Sequence, residues 1–457
     1  MRPLRSASTV LALMLIAAAC GASNDDGQEA PAASVDAPDA GEPAQEPDPT
    51  AGAEGAEATQ GADPPSPAGD QFSPTETDAP FDLSGGAISS SEGVQIVDAD
   101  PRAPLAANVS QATAPWVTDW TRQTIDVSQL ILGVPRVDPR DAIPPLDLPK
   151  FEPIAEAGWL GERELGAVVR VDGETRFYPL SILSRHEIVN DRFGDVPVAV
   201  TFCPLCNTAL AFDRRVDGQV IRLGVSGLLR NSDMVMWDNV TNSLWQQITG
   251  EGIVGELAGT RLELMSTSIA SYGDVLESFP DALSLSLDTG FGINYGANGY
   301  VGYSSSVTPF LFDGVPDDRF PALSRVVGIS AGGVDKAYPF SVLSEEPAIN
   351  DELSGVPVAV LWGSDTADAL DQANIATSAT IGTAVAFDPV VDGQRLTFSS
   401  VDDDLFVDAE TGSTWTVLGL SVDGPLAGRQ LGTVTHRNEF WFAWAAFFPD
   451  AGVYPAS

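Results

Sequence analysis

Cysteine and histidine are scarce in this chain of 457 residues, which contains three cysteines and two histidines. The only Cys-x-x-Cys pair is Cys203 and Cys206, so no second pair exists to complete a four-cysteine zinc site. The sequence also lacks a P-loop, a dinucleotide-binding fingerprint, an HExxH motif and a GxSxG elbow. The common nucleotide-binding, metalloprotease and serine-hydrolase classes are therefore disfavoured.

Basic residues are few as well, with 23 Lys and Arg against 64 Asp and Glu, which gives a formal net charge of -41. Such a chain repels phosphate groups, so we expect neither a nucleic acid nor an anionic membrane surface as partner. Residues 21–100 contain no Lys or Arg and are rich in Ala, Gly, Pro, Asp and Glu. A segment of this composition buries too little apolar surface to offset its ordering entropy, which predicts an acidic disordered linker.

The first twenty residues, MRPLRSASTVLALMLIAAAC, have the layout of a signal peptide of the lipoprotein type, in which Cys20 is the lipidation site. We therefore expect an exported protein anchored by lipid at the outer face of the cell membrane. An ordinary cleaved signal peptide with an incidental cysteine is the alternative. The sequence does not identify a small-molecule or protein partner.

The remaining chain contains an internal duplication. After an extended lead-in segment at 101–150, a first unit at 151–310 contains the Cys-Pro-Leu-Cys turn, and a second unit at 311–457 lacks cysteine. Their shared motifs are YPLSILS and YPFSVLS, VPVAV in both, TALAFD and TAVAFD, VDGQ in both, and DxxTxSxW in both. These patterns predict a β-rich α+β fold, in which two duplicated units of antiparallel strands with short helices share one core.

Local patterns predict where the cysteine pair lies. VPVAVTF and TALAFDRRV have the Val content and alternation of strands, and Asp217-Gly218 is a strong hairpin signal. The segments PLSILS, PFSVLS and 271–278 are typical of short helices. The cysteine pair is therefore expected at a turn between two strands, without the long helix that lowers a thiol pKa in thioredoxin-like enzymes.

Three interpretations of the pair remain open: a structural disulfide, a thiol redox site, and a soft-metal site for Cu or Zn. In the second, His186 or Arg185 would stabilise a thiolate, and in the third His186 would be a metal ligand beside Cys203 and Cys206. Covalent catalysis by one cysteine is a further possibility. The second unit lacks His186, Cys203 and Cys206 together, which is the pattern expected if the three form one site.

A second candidate site lies in the polar cluster that follows a strand at Ser226–Asp233. Arg230, Asn231 and Asp233 are the candidate ligand-binding residues, and hydrogen bonds within a turn are the alternative role for them.

The ordered motifs YPLSIL, HEIVND, VTFCPLCNTALAFDR, GVSGLLRNSDMVMWD, SLWQQITGEGIVG and FWFAWAAFFPD resemble those of the domain-of-unknown-function 3179 family over roughly 152–454. In that family the turn usually reads CPLCG, whereas Asn207 stands at the glycine position here. Because Asn tolerates a left-handed backbone, the turn is expected to form. The resemblance implies no established reaction.

Overall fold

The computed structural model describes residues Gly86–Pro455 apart from Ile88, Glu92, Asp98 and Asp403. The predicted signal peptide, the lipidation site Cys20 and most of the predicted linker lie outside the described residues. Among those described, no helix is long and apolar enough to cross a membrane.

The described residues form a β-rich fold with a few short helices, as predicted, with 40% of residues in strands against 12% in helices. The α-helices are α1 (Ala107–Ala112), α2 (Leu180–His186), α3 (Tyr272–Ser278), α4 (Phe340–Leu343) and α5 (Trp441–Phe447). The 3-10 helices are Val127–Gln129, Ile154–Glu156, Tyr303–Ser305 and Ile375–Thr377. Helices α2, α3 and α4 confirm the three short helices expected from the sequence.

The strands of the lead-in segment and first unit alternate with tight turns. They are β1 (Gln95–Ile96), β2 (Arg122–Gln123), β3 (Ile131–Leu132), β4 (Phe151–Pro153), β5 (Leu165–Val171), β6 (Glu174–Pro179), β7 (Ile188–Phe193), β8 (Val196–Cys203), β9 (Thr208–Asp213), β10 (Arg215–Val216), β11 (Gln219–Val220), β12 (Leu223–Arg230), β13 (Asp233–Asp238), β14 (Leu244–Gln246), β15 (Glu251–Val254), β16 (Leu264–Met265), β17 (Thr267–Ser271) and β18 (Leu283–Leu285).

The strands of the second unit follow the same sequence of elements. They are β19 (Arg325–Ala331), β20 (Val334–Pro339), β21 (Ala348–Leu353), β22 (Val356–Gly363), β23 (Thr383–Asp388), β24 (Val390–Val391), β25 (Gln394–Arg395), β26 (Phe398–Asp402), β27 (Leu405–Asp408), β28 (Thr414–Thr416), β29 (Ser421–Asp423), β30 (Gly432–Thr433), β31 (His436–Phe440) and β32 (Gly452–Val453).

The sheets of residues 151–310 and of residues 311–457 have matching strand orders. The orders β17-β5-β6-β18, β16-β9-β8-β7 and β12-β13-β14-β15 recur as β31-β19-β20-β32, β30-β23-β22-β21 and β26-β27-β28-β29. Pairing within these sheets is antiparallel except for the parallel pairs of β18 with β6 and β32 with β20. These two pairs depart from the all-antiparallel expectation because α3 connects β17 to β18, and α5 connects β31 to β32, by a crossover within the same sheet.

The sheets are arranged in a ring similar to a five-bladed propeller and do not separate clearly into two units. The buried apolar side chains of the described residues form six clusters rather than the single core expected from the sequence. Three of the clusters mix the halves: one contains Cys203, Cys206, Phe440 and Phe442, another contains side chains of β5 and β22, and a third contains Tyr178 and Ala367.

The lead-in segment is more structured than expected. It contributes α1 and two strands of a seven-stranded sheet, because its apolar side chains, including Val109 and Trp120, are buried in a cluster with β12–β15. The end of the predicted linker also contacts the fold: β1 pairs with β2, and the Ala87 amide donates to the Arg215 carbonyl at 2.9 Å. Ala87 is buried, so this part of the acidic segment does bury apolar surface.

The candidate site is held by two tight turns. The first connects β8 to β9 and contains the cysteines, as predicted. The second is the two-residue hairpin between β12 and β13, where Asn231 and Ser232 both have positive φ values of 50° and 65°. Positive φ at both central residues is the conformation of a type I′ turn, whose twist matches that of the flanking strands.

Candidate metal centre

The cysteine turn is a compact knuckle at the end of a buried hairpin. Cys203 is the last residue of β8 and pairs with Thr208, the first residue of β9. The turn is closed by hydrogen bonds from the Cys206 amide to the Cys203 carbonyl at 3.2 Å and from the Asn207 amide to the Pro204 carbonyl at 3.3 Å. Asn207 has a φ of 57°, so it adopts the left-handed conformation that the resemblance required.

The type I′ hairpin brings a second set of polar groups to the two sulfurs. The Ser232 carbonyl accepts from the Cys206 thiol at 3.5 Å and from the Cys203 thiol at 3.8 Å. The next residue, Asp233, begins β13 with its carboxylate buried beside the same sulfurs. The hairpin therefore places a backbone acceptor and a carboxylate over the knuckle.

Cys203, Cys206 and Asp233 form a group whose Sγ atoms and one carboxylate oxygen all lie within 4.8 Å of one another. The two cysteines approach to 3.7 Å and are free thiols, since a disulfide needs sulfurs about 2.05 Å apart. One Asp233 oxygen, Oδ2, accepts from Gln246 Nε2 at 2.6 Å and from the Ile248 amide at 3.0 Å. The other, Oδ1, is buried without a hydrogen-bond partner among the described residues.

The electrostatics of this group disfavour charge on the sulfurs. Burial raises the pKa of Cys203, and the charges of Asp233 and Glu187 raise it further. Burial also raises the pKa of Cys206, with further increases from Cys203, Asp233 and Glu439. Both thiols are therefore protonated near neutral pH, whereas thiol redox catalysis depends on an accessible thiolate.

Two more buried carboxyl groups lie nearby, on Glu187 and Glu439. Burial raises the pKa of Glu187 to about 8, and the Tyr300 hydroxyl donates to Glu187 Oε1 at 3.4 Å. Burial likewise raises the pKa of Glu439 to about 8, and neither of its carboxylate oxygens has a hydrogen-bond partner among the described residues. The knuckle thus lies among three buried carboxyl groups, counting Asp233.

An irregular segment, Tyr300–Phe312, covers the site on the outside. The Tyr303 hydroxyl donates to the Leu205 carbonyl at 2.9 Å, and the Ser232 hydroxyl donates to the Phe310 carbonyl at 2.6 Å. Cys203 and Cys206 are buried, with solvent-exposed fractions of 2% and 0%. The donor atoms are closed off from solvent, as in a structural metal site.

His186, expected beside the cysteines, makes other contacts. Its Nδ1 atom lies 2.6 Å from the Pro144 carbonyl and its Nε2 atom lies 2.6 Å from the Tyr295 hydroxyl. It is absent from the group within 4.8 Å, where Asp233 supplies the third donor. The physical reason is the direction of the chain after α2. The helix ends at His186, and the next residue, Glu187, has a left-handed backbone with a φ of 58°. Glu187, and not His186, therefore interacts electrostatically with Cys203.

Among the other residues predicted for the site, one lies with the cysteines and the rest make contacts elsewhere. Of the three candidate ligand-binding residues Arg230, Asn231 and Asp233, only Asp233 lies in the group with the two cysteines. The Arg230 guanidinium donates to Gln129 Oε1 at 2.7 Å and to Gln246 Oε1 at 3.3 Å, and Asn231 forms the turn. The Arg185 guanidinium donates to the Ala297 carbonyl.

Sequence reasoning missed Glu187 and Glu439. Both had a visible signal, because each is an acidic residue beside apolar sequence: Glu187 precedes Ile188-Val189, and Glu439 precedes the aromatic run 440–448. Acidic side chains are rarely buried without a partner or a metal ion, so an isolated acid in such a setting indicates a polar site.

The fold and the site together define a β-rich protein with a buried cluster of two thiols and one carboxylate. The chain belongs to the DUF3179 family, described as a protein of unknown function, whose family model matches residues 140–451. The match includes the knuckle, Asp233 and Glu439. No curated protein and no solved structure matches the chain.

Proposed function

We propose that this protein is a metal-binding protein that holds a Zn²⁺ ion through Cys203, Cys206 and Asp233. The observation that supports this most is the convergence of two sulfurs and a carboxylate oxygen within 4.8 Å in a buried site. Sulfur and carboxylate oxygen are both established zinc ligands. The burial of all three donors favours a structural role for the ion over a catalytic one, which needs an open coordination position.

The energetics of burial support a cation at this place. Removing carboxyl groups and thiols from water disfavours their charged forms, which is why their pKa values are raised. A divalent ion bound between them compensates the buried negative charge and displaces the thiol protons. Asp233 Oδ1, which has no hydrogen-bond partner among the described residues, would then be a ligand of the ion.

The donor set favours zinc over copper. Cu(I) prefers soft sulfur ligands, whereas Zn²⁺ accepts sulfur and carboxylate oxygen together. The presence of Asp233 in place of the expected imidazole therefore narrows the choice between the two metals that the sequence left open.

Metal analysis tests this proposal. Wild-type protein purified under reducing conditions in the presence of zinc, then freed of excess ion, is expected to retain zinc stoichiometrically, and Cys203→Ser is expected to lose it. Met234→Leu is the matched control, because it removes a buried sulfur one residue from Asp233 with little change of volume. A wild-type protein without bound zinc, or a Cys203→Ser variant that retains it, would contradict the proposal.

Thiol redox chemistry is a second candidate, favoured by the 3.7 Å approach of the two cysteines. Formation of a disulfide would oxidise both thiols, release two protons and pass two electrons to a thiol-disulfide partner of the exported compartment. Its test is the reduction potential of the pair: a value far below about -300 mV marks an inert structural bridge and excludes a redox role.

We also propose that the protein is exported and anchored by lipid at Cys20, which the signal-like residues 1–20 support. Labelling of cells with a radioactive fatty acid is expected to mark the wild-type protein and not Cys20→Ser. Equal labelling of the two, or none of the wild type, would contradict lipidation.

The two halves are further proposed to derive from one duplicated unit. Their matching strand orders and repeated motifs support this origin.

A further inference from the structure

Glu439 is a buried acid without a hydrogen-bonding explanation. Its side chain is 0% exposed, and both carboxylate oxygens lack a hydrogen-bond partner among the described residues. Leaving a carboxyl group buried in this state is costly, because its hydration is lost and nothing replaces it. A cation bound beside the Glu439 carboxylate would offset this cost.

The nearest basic side chain does not fill this role. Arg437 is buried two residues earlier on β31, and its charge favours ionisation of Glu439. Its Nη1 atom donates to Ser330 Oγ at 3.4 Å, and its guanidinium lies 5.1 Å from the centre of the Phe448 ring. Its Nε atom, like both Glu439 oxygens, has no hydrogen-bond partner among the described residues. Arg437 therefore reduces the electrostatic free-energy cost of burying an ionised Glu439, but it does not hydrogen-bond to either carboxylate oxygen.

The position of Glu439 connects it to the cysteine knuckle. The amide of the next residue, Phe440, donates to the Cys206 carbonyl at 2.9 Å, so β31 is tied directly to the turn that carries the sulfurs. The Glu439 carboxyl also lies near enough to Asp233 and Cys206 for their charges to influence one another. Zinc in structural sites is almost always four-coordinate, and the group within 4.8 Å supplies three donors. Glu439 lies outside that group, so its carboxylate would have to move toward the ion in order to bind it.

We infer that Glu439 is the fourth protein ligand of the metal ion, so that the ion links the second half of the chain to the first. This inference rests on the zinc binding proposed above. Cys203, Cys206 and Asp233 come from the first half, and Glu439 comes from a strand that pairs with β19 of the second half. At the equivalent position of β17 in the first half stands Ala270, which has no ligand atom.

The experiment compares two buried acids near the same sulfurs. Zinc affinity is measured by competition with a chromogenic chelator for wild type, Glu439→Gln and Glu187→Gln. Both substitutions remove one ionisable group, but Glu187 already has a hydrogen-bond partner in Tyr300 and Glu439 has none. Loss of a ligand is expected to weaken zinc binding by Glu439→Gln by about 100-fold or more, whereas Glu187→Gln is expected to lie much closer to wild type.

A second measurement separates ligation from folding. Thermal unfolding of the metal-free proteins is expected to show Glu439→Gln at least as stable as wild type, because an unpartnered acid is replaced by a neutral amide. Zinc is then expected to raise the unfolding temperature of wild type and to raise that of Glu439→Gln much less.

The outcomes are distinct. If wild type binds no zinc, the proposed function itself is wrong. If wild type binds zinc and Glu439→Gln binds it equally well, zinc binding stands and the role of Glu439 is wrong. Equal weakening by the two glutamine variants would also overturn the inference, since it would indicate a general effect of removing buried acid.

Discussion

The cysteine knuckle of the first half and its counterpart in the second half show how one scaffold supports a site in only one place. In the first half, Cys203 pairs with Thr208 across a tight turn, and in the second half Gly363 pairs with Thr383 across the long loop 364–382. A Cβ atom at Gly363 would meet Asp404 Oδ1 at 2.6 Å, so a cysteine at that position would require the Asp404 side chain to move. The loop, not the strands, differs between the halves.

The parts that the halves share have a packing role. Asp238 Oδ2 accepts from the Trp245 indole at 3.0 Å, and Asp408 Oδ2 accepts from the Trp415 indole at 2.9 Å. Both tryptophans are completely buried. The comparison indicates that the repeated DxxTxSxW motif has a packing role in both halves, whereas Cys203 and Cys206, which are not repeated, are the residues proposed to bind the metal ion.

Removal of zinc is expected to have the largest effect on stability. It should destabilise the hairpin β8–β9 of the first half and not the corresponding hairpin β22–β23 of the second half. With free zinc about 1,000 times above its dissociation constant, binding stabilises the folded state by about 4 kcal/mol. Chelation should therefore increase amide hydrogen exchange in β8 and β9, measured by mass spectrometry, and leave β22 and β23 nearly unchanged. An equal increase in both hairpins would contradict a site confined to the knuckle.

His436, which occupies the place of Thr267 in the first half, is expected to make stability depend on pH. Burial lowers its folded-state pKa to about 4, below the value of about 6.5 for an exposed histidine. The unfolded chain therefore binds the proton first as the pH falls from 6.5 to 4, and stability falls by roughly 3 kcal/mol over that window.

Urea unfolding of metal-free wild type and His436→Gln at pH 7 and pH 4.5 measures the contribution of His436 to the pH dependence of stability. The variant is expected to lose less stability than wild type between the two pH values, since the carboxyl groups titrate in both proteins. Parallel losses would show that His436 does not contribute.

Asp233→Asn is expected to weaken zinc binding by about 100-fold, because its single amide oxygen keeps the Oδ2 contacts and an NH2 group, which does not bind a metal ion, takes the place of Oδ1. The change keeps the side-chain shape and the Oδ contacts with Gln246 and Ile248 nearly intact. Asp404→Asn in the corresponding hairpin of the second half is the control and should bind zinc as wild type does. Similar affinities for both variants, measured by chelator competition, would remove Asp233 from the site.

The smallest effect on stability is expected from substitutions in the DxxTxSxW motif that the two halves share. Trp245→Phe and Trp415→Phe each remove one hydrogen bond to a buried carboxylate and should each lower the free energy of unfolding by about 1.5 kcal/mol. Equal losses in urea unfolding, with zinc retained by both variants, would match a common packing role. Loss of zinc from Trp245→Phe alone would show that the motif also shapes the site.

The sequence was sufficient for the features that depend on local patterns. The strand β8, the Asp217-Gly218 hairpin and the helix α2 follow from alternation, turn residues and Pro179, and all three formed as predicted. The position of the knuckle between β8 and β9 followed from these elements.

The ligand set was not predictable in the same way, because it depends on contacts between distant segments. Spacing gave no reason to prefer Asp233 to His186, and the left-handed turn at Glu187 that directs the chain is a tertiary feature. Glu439 lies near the knuckle because the next residue of β31, Phe440, donates its amide to the Cys206 carbonyl. The ring of sheets likewise depends on how the strands pack, which the repeat pattern alone does not define.

X-ray absorption spectroscopy at the zinc edge of the purified, reduced wild-type protein tests the central claim most directly. Two sulfur neighbours at about 2.3 Å and oxygen neighbours at about 2.0–2.2 Å are expected, and Cys203→Ser should lose this signature. A zinc ion surrounded only by nitrogen and oxygen, or a protein that takes up no zinc with both thiols reduced, would contradict the account.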